Sequence, residues 1–290
     1  VITTDCMEMH AISKTIGTVE GTYQAFKAGI DLAFISHSHD LQEGAIERLV
    51  QGIEAGEVTE ERLDESVARI LALKEKYDSW DAWLPLFAKA DLVPDALVGG
   101  KEHQELARRV MEEAITLTKN DAGLLPLQID PDERIGVVCL KNVLLSPVED
   151  ERYLINPVQQ AVEALHRNVC AVEVSNNPSN EDIDSVLAAM DGCAAVIIGT
   201  LNAQLQPQQV ELVKRLNGLS APLIVISMRT PYDLGAFAEV KAHIAAYEFT
   251  PVAAEIAVEA IFGRRKLQGH LPVTLPGLFA QGHYVVGKKG

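Results

Sequence analysis

Five short apolar runs between residues 134 and 249 limit the possible folds of the chain more than any other feature. They are rich in β-branched residues, and stretches with helical spacing separate them. The runs are RIGVVCL (134–140), CAVEVS (170–175), AAVIIGT (194–200), PLIVISM (222–228) and HIAAYEF (243–249), and the helical stretches lie near 153–167, 181–190, 207–218 and 252–262. Apolar strands that alternate with helices are typical of a parallel sheet covered on both faces. We therefore predict a doubly wound α/β sandwich with a mostly parallel sheet, preceded by a helix from Glu102 to about Thr118.

Residues 1–77 show the same alternation with only two strands, VITTD and the apolar run IDLAFIS (30–36), which we predict to be buried. Helices are predicted over 17–29, over a stripe closed by Gly56, and from Thr59 onward. The last helix is predicted to face a core with one apolar side, which consists of Leu63, Val67, Ile70, Leu71 and Tyr77. Two parallel strands cannot be covered on both faces alone. Either the second half completes this sheet, or the segment is the end of a larger α/β barrel.

Residues 78–100 interrupt the periodicity with two prolines and a terminal Gly-Gly, as a domain connector does. We predict a first domain over 1–80, a linker over 81–100 and a second domain over 101–290.

Composition and charge exclude several classes of protein. Apolar residues make up 48% of the chain, enough for real cores, and the net charge of −16 repels nucleic acid and anionic lipid. Nucleic acid is therefore not an expected partner. No apolar run approaches the ~20 residues needed to span a bilayer, so no membrane span is expected either. The compartment stays open between cytoplasmic and secreted bacterial.

No cofactor is expected, because the loops after the predicted strands contain neither GxGxxG nor GxxxxGK[ST]. The four cysteines show no CxxC spacing, which argues against a thiolate metal site. Cys139, Cys170 and Cys193 lie in or beside apolar runs and are interpreted as buried free thiols.

Two polar loops each allow a site or a structural role. HSHD (37–40) follows a predicted strand and offers two imidazoles to a metal, but further ligands are not apparent, so loop or hydrogen-bonding roles are favoured over a metal. MRTPYDL places Arg229, Tyr232 and Asp233 after a buried strand, where open α/β sheets bind ligands. The alternative, which we favour, is a turn that begins at Pro231 and pairs Asp233 with Arg229.

Asp5 ends the first predicted strand in VITTDCMEMH. In β/α barrels the chemistry lies at the carboxyl ends of strands, where a carboxylate can act as a nucleophile. An Asp in this position can equally cap the helix that follows. Position alone leaves both interpretations open.

Several segments, in this order, resemble family 3 glycoside hydrolases of the β-N-acetylhexosaminidase branch. TTDCMEM is similar to the end of that family's seventh barrel strand, KAGIDLAFIS to the eighth, and GEVTEERLDESVARILALK to the last barrel helix. HQELARRVMEEAITLTKNDAGLLPL, MRTPYDL and IFGRRKLQGHLPVTLP resemble the second domain of two-domain members. The resemblance implies that the first domain is the last two β/α units of a TIM-like barrel.

The resemblance also assigns roles. Asp5 is implied to be the nucleophile of a retaining, exo-acting enzyme that cleaves β-linked N-acetylglucosamine from peptidoglycan- or chitin-derived sugars. We expect Met7, Met9 and His37 to contact the sugar, and we expect no metal. In the family the acid/base lies upstream of this segment, so an N-terminal barrel portion of the same enzyme is the expected partner.

Three alternatives remain. A family 3 β-glucosidase is weaker because that branch typically has Trp after the nucleophile, whereas Cys6 follows here. The others are a non-catalytic carbohydrate-binding or interaction fragment and a metal hydrolase that uses His37 and His39.

Overall fold

The computed structural model describes residues 1–77, 99–141 and 156–286. The backbone divides into two units, Val1–Pro94 and Asp95–Gly290. Most of the predicted linker lies outside the described residues, so the predicted domain boundaries stay a prediction.

The first unit contains a two-stranded parallel sheet, in which β1 pairs with β2 through Thr3 with Leu32 and Cys6 with Phe34. Its elements are β1 (Thr3–Cys6), α1 (His10–Ser13), α2 (Thr18–Ala28), β2 (Leu32–Phe34), α3 (His39–Glu54) and α4 (Glu60–Tyr77). Helix α2 ends at Gly29, whose φ of 118° is left-handed and suits a residue without Cβ. The Thr59 hydroxyl accepts the N–H of Arg62 at 3.2 Å, as predicted for the start of α4.

Much of the apolar surface predicted to be buried in this unit is exposed. Leu32 and Phe34 on β2 are 37% and 47% exposed, and Val67, Leu71 and Tyr77 on α4 are also exposed. The prediction of a buried second strand was therefore wrong for the described residues, as was that of a fully core-facing α4 stripe. The physical reason is that two strands and their helices cover one another only in part, around a small core of Tyr23, Phe26 and Val58.

The second unit alternates strands and helices, as its sequence predicts. Its elements are α5 (Lys101–Ala114), β3 (Thr116–Asn120), β4 (Ile135–Leu140), α6 (Pro157–Glu163), β5 (Val169–Val174), α7 (Asn180–Met190), β6 (Ala195–Thr200), α8 (Pro207–Asn217), β7 (Leu223–Ser227), β8 (Ala242–Ala245) and α9 (Pro251–Ile261). Helices α6, α8 and α9 each start with a proline, whose fixed φ suits the first turn. Across the described ranges of both units, the helices are too short or too polar to cross a membrane.

A six-stranded sheet runs through the second unit in the order β3-β8-β7-β6-β4-β5. Five strands are parallel, and β3 alone joins antiparallel, along the edge of β8. Every residue of β4, β6 and β7 is buried, which explains why these strands read as continuous apolar runs. This mixed α/β architecture with a mostly parallel sheet confirms the fold class predicted for this part of the chain.

The helix predicted from Glu102 to about Thr118 is too long. Helix α5 ends at Ala114, Ile115 is extended with ψ of 127°, and Thr116 begins β3. The run Ile-Thr-Leu-Thr carries three β-branched residues that fit a pleated strand better than a helix. Leu117 has the spacing of a helical residue, but pairing with β8 places it in a strand.

The interior cysteines behave as small hydrophobic residues. Cys139 and Cys193 are buried, Cys170 is half-buried, and all are free thiols. Burial raises the pKa of Cys139 to about 12, which keeps the thiol protonated at neutral pH.

The central strand β6 gives a direct test of the sheet's role in stability. We expect Ile197→Ala, at a fully buried position, to lower the free energy of unfolding by about 2–5 kcal/mol, because it leaves a cavity. Denaturant unfolding followed by far-ultraviolet circular dichroism measures the change. The matched control, Leu205→Ala, truncates a side chain that is 70% exposed and should stay within about 0.5 kcal/mol of the parent. Equal losses in both variants would contradict this assignment of the core.

Candidate functional site

The carboxyl ends of β1 and β2 lie side by side, because the two strands are parallel. Asp5 and Cys6 end β1, and the N–H of Met7 still donates to the carbonyl of Phe34 at 2.8 Å. The chain after β2 passes through residues 35–38 before α3 begins. We call residues 5–9 and 35–38 the strand-end site.

Asp5 is exposed at this site. Its Oδ1 accepts the N–H of Cys6 at 2.7 Å. The residue that precedes α1 is Met9, which makes no side-chain cap, and the residue that precedes α2 is Gly17. The observed hydrogen bond is thus local to the strand end, and the helix-capping interpretation of Asp5 was wrong. A carboxylate in this position is open to solvent and to a ligand.

The three residues predicted to contact sugar have different surroundings. Met7 is 6% exposed and packs toward Gly21 of α2, whereas Met9 is 49% exposed at the start of α1. His37 is exposed just beyond β2, and its backbone N–H donates to Glu8 Oε2 at 2.7 Å. Their role in sugar binding stays a prediction.

Cys6 and Glu8 join His37 in a cluster that sequence reasoning missed. One potential ligand atom from each of the three lies within 4.8 Å of the others. The Sγ of Cys6 lies 4.0 Å from Glu8 Oε2. The available signal was the spacing, with a thiol and a carboxylate two residues apart after one strand and an imidazole after its parallel neighbour.

His39 does not belong to this cluster. It begins α3, and its Nε2 lies 3.2 Å from the carboxylate of Glu43 one helical turn later. Within the described ranges, His37 and His39 do not meet in one group of three potential ligands. The geometry therefore favours the loop and hydrogen-bonding interpretation of His39.

A buried carboxylate, Asp31, lies at the start of β2, at the opposite end of the strand pair from the strand-end site. It accepts the hydroxyl of Ser66 at 2.6 Å, Arg69 Nη1 at 2.9 Å and the N–H of Ile2 at 2.9 Å. The Ser66 hydrogen bond, the backbone bond from Ile2 and the Arg69 guanidinium together hold the pKa of Asp31 well below its usual range. This one side chain links β1, β2 and α4.

In the second unit, the loop after β7 contains a turn that is hydrogen-bonded to the neighbouring strand end. Pro231 begins a 3₁₀ turn, Pro231–Ala236, as predicted. Asp233 is fully buried, and accepts the hydroxyl of Thr200 at 2.7 Å and the N–H of Gln204 at 3.3 Å. Burial raises the pKa of the Asp233 carboxyl. These contacts favour a structural role for MRTPYDL, with partners at the end of β6 and on the loop that follows it.

His243 is a fully buried residue of β8, and its imidazole lies between side chains of the two neighbouring strands, β3 and β7. Its Nδ1 lies 2.5 Å from the Thr118 hydroxyl and its Nε2 lies 2.7 Å from the Ser227 hydroxyl. Burial lowers the pKa of His243 to about 3, so the imidazole is neutral at physiological pH. Ser227 and His243 are both fully buried, which fits a packing role and not nucleophilic catalysis.

Family models match both units of the chain. The N-terminal domain of glycosyl hydrolase family 3 matches residues 1–73, and the C-terminal domain of the same family matches residues 115–285. The chain belongs to glycosyl hydrolase family 3. This membership confirms the resemblance read from the sequence.

Individual relatives extend this finding. A "Beta-hexosaminidase A" of Pseudoalteromonas piscicida is 25% identical over 95% of this chain and 50% of its own length. A "Beta-N-acetylglucosaminidase/beta-glucosidase" of Cellulomonas fimi is 26% identical over 94% and 49%. The solved family 3 β-N-acetylglucosaminidase of Paenibacillus sp. str. FPU-7 is 30% identical, with a TM-score of 0.76 over 99% of this chain and 52% of that one. The chain thus spans about half the length of these relatives.

The Asp31 network predicts how the first unit responds to acid. A carboxylate whose pKa is lower in the folded chain than its ordinary 3.8 adds stability above about pH 4 and loses that stability as the pH falls further. We expect Asp31→Asn to lower stability at pH 7 and to flatten the acid dependence below about pH 4. Acid titration by circular dichroism and hydrogen exchange of residues 1–77 at pH 7 would test this.

The control is Asp64→Asn, which removes an exposed carboxylate from α4 and should leave both measurements close to the parent. An Asp31→Asn chain with unchanged protection of residues 1–77 would show that the network does not hold the strands together.

Proposed function

We propose that this chain is the nucleophile-bearing, C-terminal part of a retaining, exo-acting β-N-acetylhexosaminidase, with Asp5 as the nucleophile. The observation that carries the proposal is Asp5, exposed at the carboxyl end of a parallel strand in a segment that matches the family's N-terminal domain. The names of the Pseudoalteromonas and Paenibacillus proteins support the hexosaminide specificity.

The reaction follows from the chemistry of a carboxylate pair. The Asp5 carboxylate attacks the anomeric carbon while an acid protonates the departing oxygen, and the glycosidic C–O bond breaks to leave a glycosyl-enzyme ester. Water, deprotonated by the same acid/base, then cleaves the ester and frees Asp5. The acid/base in such enzymes lies about 5–5.5 Å from the nucleophile. We propose that it comes from the upstream barrel portion.

The exposed apolar face of the first unit supports the proposal that an upstream barrel portion packs against it. A cavity of about 460 Å³ lies beside Phe34, Ile46 and Val67, all apolar side chains. The edges of a parallel pair also leave backbone N–H and C=O groups for further strands. We propose that six upstream β/α units close a barrel of TIM type on this face, making residues 1–77 its last two units.

The proposed substrates carry a terminal β-linked N-acetylglucosamine, as in peptidoglycan or chitin fragments. The alternative substrate is a β-glucoside, since the Cellulomonas relative is named for both activities. A non-catalytic, carbohydrate-binding role is the remaining alternative.

The nucleophile is tested in the completed enzyme, with the chain joined to its upstream barrel units. We expect Asp5→Ala to lower kcat by about 10³- to 10⁶-fold, because the variant cannot form the ester. Added azide should restore turnover and yield the α-glycosyl azide, since the small anion attacks from the face that Asp5 occupied.

The control for this experiment is Asp40→Asn, an exposed carboxylate in the first turn of α3, which should keep parental kcat. Parental activity in Asp5→Ala would remove the nucleophile assignment and favour the non-catalytic alternative.

Sugar preference separates the two enzyme alternatives. For the completed enzyme we expect kcat/KM for p-nitrophenyl β-N-acetylglucosaminide to exceed that for the β-glucoside by at least about 10²-fold, because a site that binds the acetamido group loses those contacts with glucose. Initial rates with both substrates measure the ratio. A ratio below one would favour the β-glucosidase.

A further inference from the structure

Cys6 and Glu8 take no part in the proposed glycosidase reaction, and they lie beside His37, which is predicted to contact the sugar. The three residues offer one thiol sulfur, one carboxylate oxygen and one imidazole nitrogen, all within 4.8 Å of one another. Cys6 and Glu8 are half-buried and His37 is exposed, so the cluster is open to ions from solvent. We propose that Cys6, Glu8 and His37 form a binding site for one Zn²⁺ ion at the carboxyl ends of β1 and β2.

The ligand set fits zinc. Zn²⁺ is borderline-soft and binds cysteine sulfur, histidine nitrogen and carboxylate oxygen, whereas Mg²⁺ and Ca²⁺ bind oxygen ligands. Tetrahedral zinc with its usual bond lengths places ligand atoms about 3.3–3.7 Å apart. The 4.0 Å between Cys6 Sγ and Glu8 Oε2 is already close to that spacing, and side-chain rotation can supply the rest.

The electrostatics of the cluster also favour a cation. The Ser36 side chain, as the largest contribution, and the backbone of Glu8 lower the pKa of Cys6, whereas burial and the Glu8 carboxylate oppose that shift. The Ser38 side chain and the backbone of His37 lower the pKa of Glu8 in the same way. The Cys6 sulfur and the Glu8 carboxylate lie side by side, 4.0 Å apart, and a cation between the thiolate and the carboxylate removes the repulsion between these two anions.

The backbone holds the cluster in place. The N–H of His37 donates to Glu8 Oε2 at 2.7 Å and ties the segment after β2 to the segment after β1. On zinc binding the Cys6 thiol loses its proton to solvent, and His37 binds as neutral imidazole. Three protein ligands leave a fourth position for water or an anion.

Zinc binding can be tested independently of glycosidase activity, because it is measured on the 290-residue chain alone. We expect calorimetric titration of the reduced chain with ZnCl₂ to show one site, with release of a proton. Cys6→Ser and Glu8→Gln should each weaken binding at least tenfold, and Cys6→Ser more than the 10–100-fold typical of outer-shell partners. Circular dichroism establishes that each variant is folded.

Two matched controls come from the same chain. His39→Gln removes the neighbouring imidazole that pairs with Glu43, and Cys170→Ser removes a half-buried thiol of the second unit. Both should bind zinc as the parent does. Co²⁺ in place of Zn²⁺ should give a thiolate-to-cobalt charge-transfer band that Cys6→Ser abolishes and Cys170→Ser retains.

A measurement on the parent chain makes the test independent of how the variants fold. Zinc should slow alkylation of Cys6 by iodoacetamide at least tenfold and leave Cys170 unchanged, as read by mass spectrometry of peptides. No zinc-dependent protection of Cys6 would overturn the proposal. Binding that survives Cys6→Ser, or that is lost in Cys170→Ser, would do the same by placing the ion elsewhere.

Discussion

Parallel strands need apolar cover on both faces, and most of this structure follows from how far each unit meets that need. In the second unit, helices and loops bury every residue of β4, β6 and β7. In the first unit two strands share a sheet, and Leu32 and Phe34 stay exposed. The same physical requirement thus yields a well-packed sandwich in one unit and an open apolar face in the other.

The open unit is also the one that carries the candidate chemistry. Parallel pairing of β1 with β2 places the carboxyl ends of both strands together, and Asp5 and His37 come with them. At the amino ends of the same strands, Asp31 hydrogen-bonds to Ser66, Arg69 and Ile2 and so links both strands to α4. The buried carboxylate of Asp31 and the exposed one of Asp5 thus lie at opposite ends of the strand pair, the first among hydrogen-bond donors and the second facing solvent.

Local pattern predicted some features well and others poorly, for identifiable reasons. Glycine and threonine at helix ends predicted the end of α2 and the start of α4, since capping depends on a few adjacent residues. The same local spacing predicted a helix that continues to about Thr118, but pairing with β8 places Thr116 and Leu117 in a strand. Burial of Leu32 and Phe34 was mispredicted because cover comes from other elements, which an apolar run does not reveal.

By itself the sequence determined the alternation of strands and helices and the family, and it predicted Asp5 as the nucleophile, because each of these rests on short segments whose residues are neighbours in the chain. Only the tertiary structure decided which distant residues meet. It brought Glu8 to the backbone of His37, Asp31 to Ser66, and Asp233 to Thr200. Such contacts depend on strand register and helix packing, which are set by the burial of many side chains together and not by any local pattern.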